Sequence, residues 1–266
     1  DDGSNAGVIR GHAGPVHAVV LHPTEPRGVS AGADGTIRTW LLPVEDRALA
    51  GHAAALAAVT ASPDGKWFAT GGADKTVKTW NTADGANVQT ITAEAGGEIT
   101  ALAFQSDSVQ LASGDSGGVI RLTNVADGAS SGALPGHVKG ITALAYRPDA
   151  KQLVSGGADG LVKWWNLPVV APRTFATLPV AVTSMATDGK TVVAGAADGS
   201  IRKLDPVNGN QLTAFSGHSG AVVGMALHPA GSQLVSGQKD GAIRVFNAAD
   251  GALLGTIRGH TGSVNS

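Results

Sequence analysis

Cysteine is absent from the 266-residue chain. That excludes a disulfide framework, a zinc–thiolate centre and a cysteine nucleophile, and it leaves the compartment open. Charge is scarce and balanced. The 19 basic residues stand against 21 acidic ones, for a formal net charge of −2, with no basic block. Neutralising a phosphate backbone needs clustered Lys and Arg, so no nucleic-acid partner is expected. No apolar run approaches the ~18 residues of a membrane-spanning helix, so a soluble chain without membrane insertion is expected. The opening Asp1-Asp2-Gly3-Ser4 has no basic or apolar signal segment. No stretch sustains a 3.6-residue apolar period with caps, which predicts almost no helix.

Glycine, by contrast, is abundant at 38 residues, twice the usual share of ~7%. Hydrophobic residues make up 42% of the chain, enough to fill a core. The residues also repeat. Gly-His occurs at Gly11-His12, Gly51-His52, Gly136-His137, Gly217-His218 and Gly259-His260. A strand-like signature ends at Trp40, Trp80, Trp165 and Phe246, with weaker copies ending at Thr123 and Leu204. In chain order these six ends lie 40, 43, 42, 39 and 42 residues apart. A period of ~40–45 with Gly-His early and Trp late predicts four short strands per unit. In the first unit these are Val16–Leu21, Gly28–Ala31, Thr36–Leu41 and Arg47–Ala50. Asp-Gly or Asn-Gly turns recur between runs, as at Asp34-Gly35, Asp159-Gly160 and Asn208-Gly209, where positive φ costs Gly nothing.

On these motifs the sequence resembles the WD-repeat β-propeller family over nearly its whole length. The resemblance implies an all-β fold of four-stranded blades packed radially around a channel. The units run about 12–51, 52–94, 95–136, 137–177, 178–217 and 218–259, within a single domain spanning 1–266. Segments 1–11 and 260–266 read as part of a closing seventh blade. They supply its outer strand (Val8–Arg10) and first inner residues (Ser263 to Ser266), with about 25–30 residues to complete the ~40-residue unit. A fragment of a seven-bladed ring, a closed six-bladed ring and part of a longer tandem array all fit this pattern. An incomplete last blade would invite self-association through exposed edges.

The resemblance also implies a buried polar set in each blade: a His, a Ser or Thr, a turn Asp and a Trp. Three units match in full: His12, Ser30, Asp34, Trp40; His52, Thr70, Asp74, Trp80; His137, Ser155, Asp159, Trp165. The sixth unit keeps His218, Ser236 and Asp240 but has Phe246. The third (Ala95, Ser113, Gly117, Thr123) loses the set, and the fifth (Leu178, Ala194, Asp198, Leu204) keeps only the turn Asp. Those two are expected to rely on apolar packing. A Ser/His/Asp hydrolase is the competing reading, but one register repeated three times is the mark of architecture. No Gly-x-Ser-x-Gly elbow occurs, and catalysis requires one exposed nucleophile. No catalytic residue, cofactor or metal is expected, since the histidines lie a unit apart and each has a partner.

Function is then expected in binding. Family alignment places the contact positions at the start of each inner strand and before each turn Asp. His17, Glu98, Thr100, Ser116, Thr142, Thr183 and Lys239 are the polar members. The rest is largely Ala and Gly, without the Trp, Tyr and Arg of interface hot spots. One basic residue per unit (Arg38, Lys78, Arg121, Lys163, Arg202, Arg244) reads as repeat-encoded. The expectation is a non-enzymatic interaction scaffold that docks a protein or another domain of the same polypeptide. The alternatives are an accessory domain of an enzyme or redox assembly and a channel-mouth glycan or small-molecule binder. The Ala-, Gly- and Thr-rich style reads as bacterial.

Overall fold

A computed structural model describes residues 11–41, 45–49, 51–92, 96–149, 151–167, 173–188, 190–228, 231–258 and 264. Among them are twenty-four strands and no helix. Blade 1 comprises β1 (Val16–Leu21), β2 (Arg27–Gly32), β3 (Ile37–Leu41) and β4 (Glu45–Leu49). Blade 2 comprises β5 (Leu56–Ala61), β6 (Trp67–Gly72), β7 (Thr76–Asn81) and β8 (Asn87–Thr92). Blade 3 comprises β9 (Ile99–Phe104), β10 (Gln110–Asp115), β11 (Val119–Asn124) and β12 (Ser130–Pro135). Blade 4 comprises β13 (Ile141–Tyr146), β14 (Gln152–Gly157), β15 (Leu161–Asn166) and β16 (Arg173–Thr177). Blade 5 comprises β17 (Val182–Thr187), β18 (Val192–Ala196), β19 (Ile201–Leu204) and β20 (Gln211–Phe215). Blade 6 comprises β21 (Val222–Leu227), β22 (Gln233–Gln238), β23 (Ala242–Asn247) and β24 (Leu253–Arg258).

Each sheet is an antiparallel meander of consecutive strands, closed by turns whose glycines take φ between 67° and 88° at Asp-Gly and Asn-Gly. Among the described residues two turns put a side chain in that region, β6–β7 at Lys75 with φ 61° and β9–β10 at Ser108 with φ 62°. Every inner strand also carries a bulge at its second residue, leaving His17, Ala57, Thr100, Thr142, Thr183 and Val223 outside the ladder. A bulge re-aims the side chain of its extra residue. Here it turns one position per blade away from the sheet.

The blades stack through their faces. Inner strands pack in the order β1, β5, β9, β13, β17, β21, and among the described residues no comparable packing joins β21 back to β1. Five apolar clusters fill the five interfaces between successive blades; blades 1 and 2, for instance, share Val29, Ile37, Leu56, Phe68 and Trp80. Each large side chain so buried contributes about 1.5–3 kcal/mol. Small residues make the close approach possible. A Cβ on Gly71, Gly114 or Gly156 would lie 2.4, 2.5 or 2.6 Å from the first residue of the next inner strand, Ile99, Ile141 or Val182. Of the expected closing-blade segments, residues 1–10, 260–263 and 265–266 lie outside the described residues, while Val264 is buried against blade 6.

Candidate functional site

The three full polar sets come together with one geometry. In blade 2 the His52 imidazole is 2.8 Å from Asp74 through Nδ1 and 2.8 Å from the Thr70 hydroxyl through Nε2. The Trp80 indole N–H donates to that hydroxyl at 2.8 Å. Having accepted from the indole, the hydroxyl has its own proton to give, and Nε2 takes it. The network therefore assigns the imidazole proton to Nδ1, where it is donated to the carboxylate. Blade 4 repeats this with His137 at 2.9 Å from Asp159 and 2.8 Å from Ser155, and Trp165 at 2.8 Å from Ser155. Blade 1 does so with His12 at 3.1 Å from Asp34 and 2.8 Å from Ser30, and Trp40 at 2.8 Å from Ser30.

The electrostatics match that proton arrangement. Burial holds the imidazoles of His52 and His137, both 0% exposed, below their ordinary pKa, against the opposing pull of Asp74 and Asp159. Burial alone would raise the two carboxyls. Hydrogen bonds outweigh it, led by the Thr76 backbone N–H for Asp74 and by His137 for Asp159, and both lie below the usual carboxylate range. Asp34 follows the same balance, with the Ala13 N–H the strongest lowering influence. A neutral imidazole beside a fixed carboxylate is what burial demands, because a buried charge must be hydrogen-bonded. Every polar atom of these sets is used internally, and the Ser30, Thr70 and Ser155 hydroxyls are buried.

Blades 3 and 6 depart from the sequence expectation at one register. In blade 6 the His218 Nε2 meets Ser236 at 2.6 Å, but Nδ1 faces Gln238 at 2.9 Å instead of Asp240. Asp240 is exposed and lies 3.4 Å from Arg244. In blade 3 the network is replaced, not merely lost. Asp115 is fully buried, accepts from the Gly117 and Val119 N–H groups at 2.9 and 3.0 Å, and pairs with Arg121 at 2.6 Å. Ala95 lies outside the described residues. Asp115 and Gln238 occupy the position two residues before the turn. At that position Gly32 and Gly157 leave room for the His–Asp pair, since a Cβ would come within 2.5 and 2.3 Å of the imidazole Nδ1. The loss of glycine at this one position was the available signal. In blade 5, Leu178, Ala194 and Leu204 are buried as expected, and Asp198 accepts from the Ser200 N–H and hydroxyl at 3.0 and 2.7 Å.

The candidate contact residues gather at one end of each blade. In five blades the N–H of the residue before the turn donates to the carbonyl preceding the inner strand: Ala33 to Pro15, Ala73 to Ala55, Ser116 to Glu98, Ala158 to Gly140, and Ala197 to Ala181. Glu98, Ser116 and Lys239 are exposed, and His17 is half-buried. The bulged threonines are committed between blades. The hydroxyls of Thr100, Thr142 and Thr183 each lie 2.5 Å from a carbonyl of the next blade, at Ile141, Val182 and Val222. They lie 3.2, 3.0 and 3.2 Å from carbonyls of their own blades, so one proton is shared across each interface. Four of the repeated basic residues are likewise engaged within the fold: Lys78 with Thr90, Arg121 with Asp115, Lys163 with the Gly136 carbonyl, and Arg244 with Gln238. The inner strands of all six blades surround a channel of about 520 Å³ lined mainly by small and apolar residues, with the hydroxyl-bearing Thr100, Thr142, Thr183 and Ser184 among them. Among the described residues no cluster of three or more His, Asp and Glu is placed to hold a metal ion.

Two solved structures are similar in fold. One is a structure of U3-55K and the other a crystal structure of RRP9 WD40 repeats. Both have a TM-score of 0.88 and 22% identity, cover 96% of this chain, and are themselves covered over 85% and 84% of their lengths. No curated protein matches. Five segments, 3–40, 45–81, 85–124, 128–166 and 209–247, match the family described as WD domain, G-beta repeat. The matched segments pass over 167–208, where of the polar set only Asp198 is present. With the repeat matched over more than half its length, this chain belongs to the WD40 family.

Proposed function

We propose that this protein is a non-enzymatic scaffold. It docks a protein partner, or another domain of its own polypeptide, at the propeller end bearing His17, Glu98, Ser116 and Lys239. The observation that carries the reading is the internal consumption of the Ser/His/Asp sets. Their hydroxyls are buried, each imidazole has both nitrogens engaged, and the same geometry occurs in three blades. A nucleophile must be exposed beside an oxyanion site; these hydroxyls accept from an indole instead. Exposed functional groups collect where Glu98 and Ser116 adjoin through a backbone bond and where Lys239 stands out from its turn. The surrounding Ala and Gly leave a flat surface, and opposite charges on it favour selectivity over raw affinity.

The test is a quantitative pull-down with Glu98→Lys and Lys239→Glu combined on one chain of unchanged melting temperature. The expected result is loss of specific partners captured by the unaltered protein. An identical set captured by both proteins refutes docking at this end.

A further inference from the structure

The bulged threonines retain a capacity to accept. Each of Thr100, Thr142 and Thr183 gives its hydroxyl proton to backbone carbonyls, at 2.5 Å across the blade interface and at 3.2, 3.0 and 3.2 Å within its own blade. A hydroxyl has one proton and two acceptor lone pairs, so what remains to each oxygen is acceptor capacity. All three side chains are half-buried and line the channel. They belong to consecutive blades, 3, 4 and 5, whose inner strands pack side by side, and so they occupy one arc of the wall.

The rest of the lining gives this arc its selectivity. Among the described residues no Lys, Arg, His, Asn, Gln or Trp lines the channel, and no Asp or Glu either; Ser184 adds one further hydroxyl on blade 5. The free backbone edge of each inner strand offers N–H and C=O alike. The side chains therefore set the bias, and the three threonines set it toward acceptors. The facing arc, from blades 6, 1 and 2, is apolar: Val223, Ala18, Val19, Ala58 and Val59. At the bulged register itself blade 6 carries Val223 and blade 2 carries Ala57, so neither repeats the hydroxyl.

We propose that the channel binds an organic cation, a primary ammonium on a short apolar stem. The ammonium meets the oxygens of Thr100, Thr142 and Thr183, and the stem lies along the Val and Ala wall. An ammonium has three N–H donors and no acceptor, the complement of an arc whose own protons are already given away. Hydrogen bonds from a charged donor are about twice as strong as neutral ones. A carboxylate brings only acceptors and meets oxygen lone pairs. A quaternary ammonium has the charge but nothing to donate. Such a cation needs only the channel wall, so its binding is independent of any partner docked at the rim.

The chain's only two methionines, Met185 and Met225, both line the channel. Labelling their methyl groups with carbon-13 therefore gives two NMR signals that report its occupancy. Titration with n-butylammonium chloride is expected to shift both signals saturably. Sodium butyrate and tetramethylammonium chloride, at the same ionic strength, are expected to leave them in place. Thr142→Val removes one acceptor and is expected to weaken butylammonium binding about tenfold. Thr142→Ser keeps the hydroxyl and is expected to bind as the unaltered protein does. Thr183→Val repeats the test in the next blade should Thr142→Val fail to fold. A capped Ala-Ala-Lys-Ala-Ala peptide is the last arm. Shifts from it as well place the ammonium on a partner's lysine, and shifts from butylammonium alone place it on a free amine. Absence of any shift, equal shifts from butyrate or tetramethylammonium, or undiminished binding by the folded valine variant overturns the proposal.

Discussion

Replacing Thr70 by valine removes one hydroxyl at nearly constant volume. Thr70 is fully buried and stands between two groups, each at 2.8 Å: it accepts from the Trp80 indole and donates to the His52 imidazole. Thr70→Val strands both. A buried polar atom left without a partner costs about 1–3 kcal/mol, so the pair costs about 2–6 kcal/mol. The imidazole cannot escape by moving its proton to Nε2, because Nδ1 would then face Asp74 without a hydrogen. In a Trp80→Phe background the indole donor is gone, as it naturally is at Phe246 in blade 6. There Thr70→Val strands only the imidazole and costs about 1–3 kcal/mol. Urea unfolding of the two single variants and the double variant closes the cycle, and the expected coupling is about 1–2 kcal/mol. A Thr70→Val cost below about 0.5 kcal/mol, or strict additivity with Trp80→Phe, refutes the shared-hydroxyl network.

Stability is expected to fall as pH drops from 7 to 5. The folded imidazoles of His52, His137 and His218 lie below the ~6.5 of an exposed histidine, so the unfolded chain binds more protons through that window. The contribution is present above ~6.5 and is lost as pH falls toward the folded values. A second loss follows below ~4 as Asp34, Asp74 and Asp159 are titrated. A urea midpoint flat between pH 7 and 5 contradicts the first stage. Lys75→Gly is expected to raise stability by about 0.5–1 kcal/mol, since a side chain at φ 61° carries left-handed strain that glycine lacks, less the glycine entropy cost; a lowered melting temperature argues against it. Gly157→Ala puts a Cβ 2.3 Å from the His137 Nδ1 and 2.5 Å from Asp159. It is expected to cost about 1–3 kcal/mol and to abolish the slowly exchanging His137 ring N–H signal in proton NMR, whereas an unaltered signal would show the pair intact.

The polar sets of blades 1, 2 and 4 were legible in the sequence because their members sit at fixed offsets along adjacent strands. Antiparallel pairing places Ser155 opposite Lys163 and Leu153 opposite Trp165, so local register carries the indole to the hydroxyl. In blade 6 the repeat points to Asp240, but the His218 Nδ1 faces Gln238, for a definable reason. A turn Asp reaches its histidine only if the residue two before it has no side chain, and Gln238 does. Asp115 is not legible as a functional residue because it stands at a repeat position held by glycine in blades 1, 2 and 4. Only its burial and its pairing with Arg121 reveal that it fills the space of a missing set.

The sequence by itself determined the repeat, the strand count per unit and the sites of reversal. Each is written in short-range pattern: short strand-like runs, glycine where φ must be positive, and a period near forty. The tertiary structure decided what the side chains between blades do. Thr100, Thr142 and Thr183 read as surface contacts, yet their hydroxyls bridge carbonyls of neighbouring sheets. Val16 opens the first inner strand and is 39% exposed, while its equivalents Leu56, Ile99, Ile141, Val182 and Val222 are buried. Such outcomes depend on which sheet lies alongside, and that is fixed by packing between units some forty residues apart, beyond the reach of any local pattern.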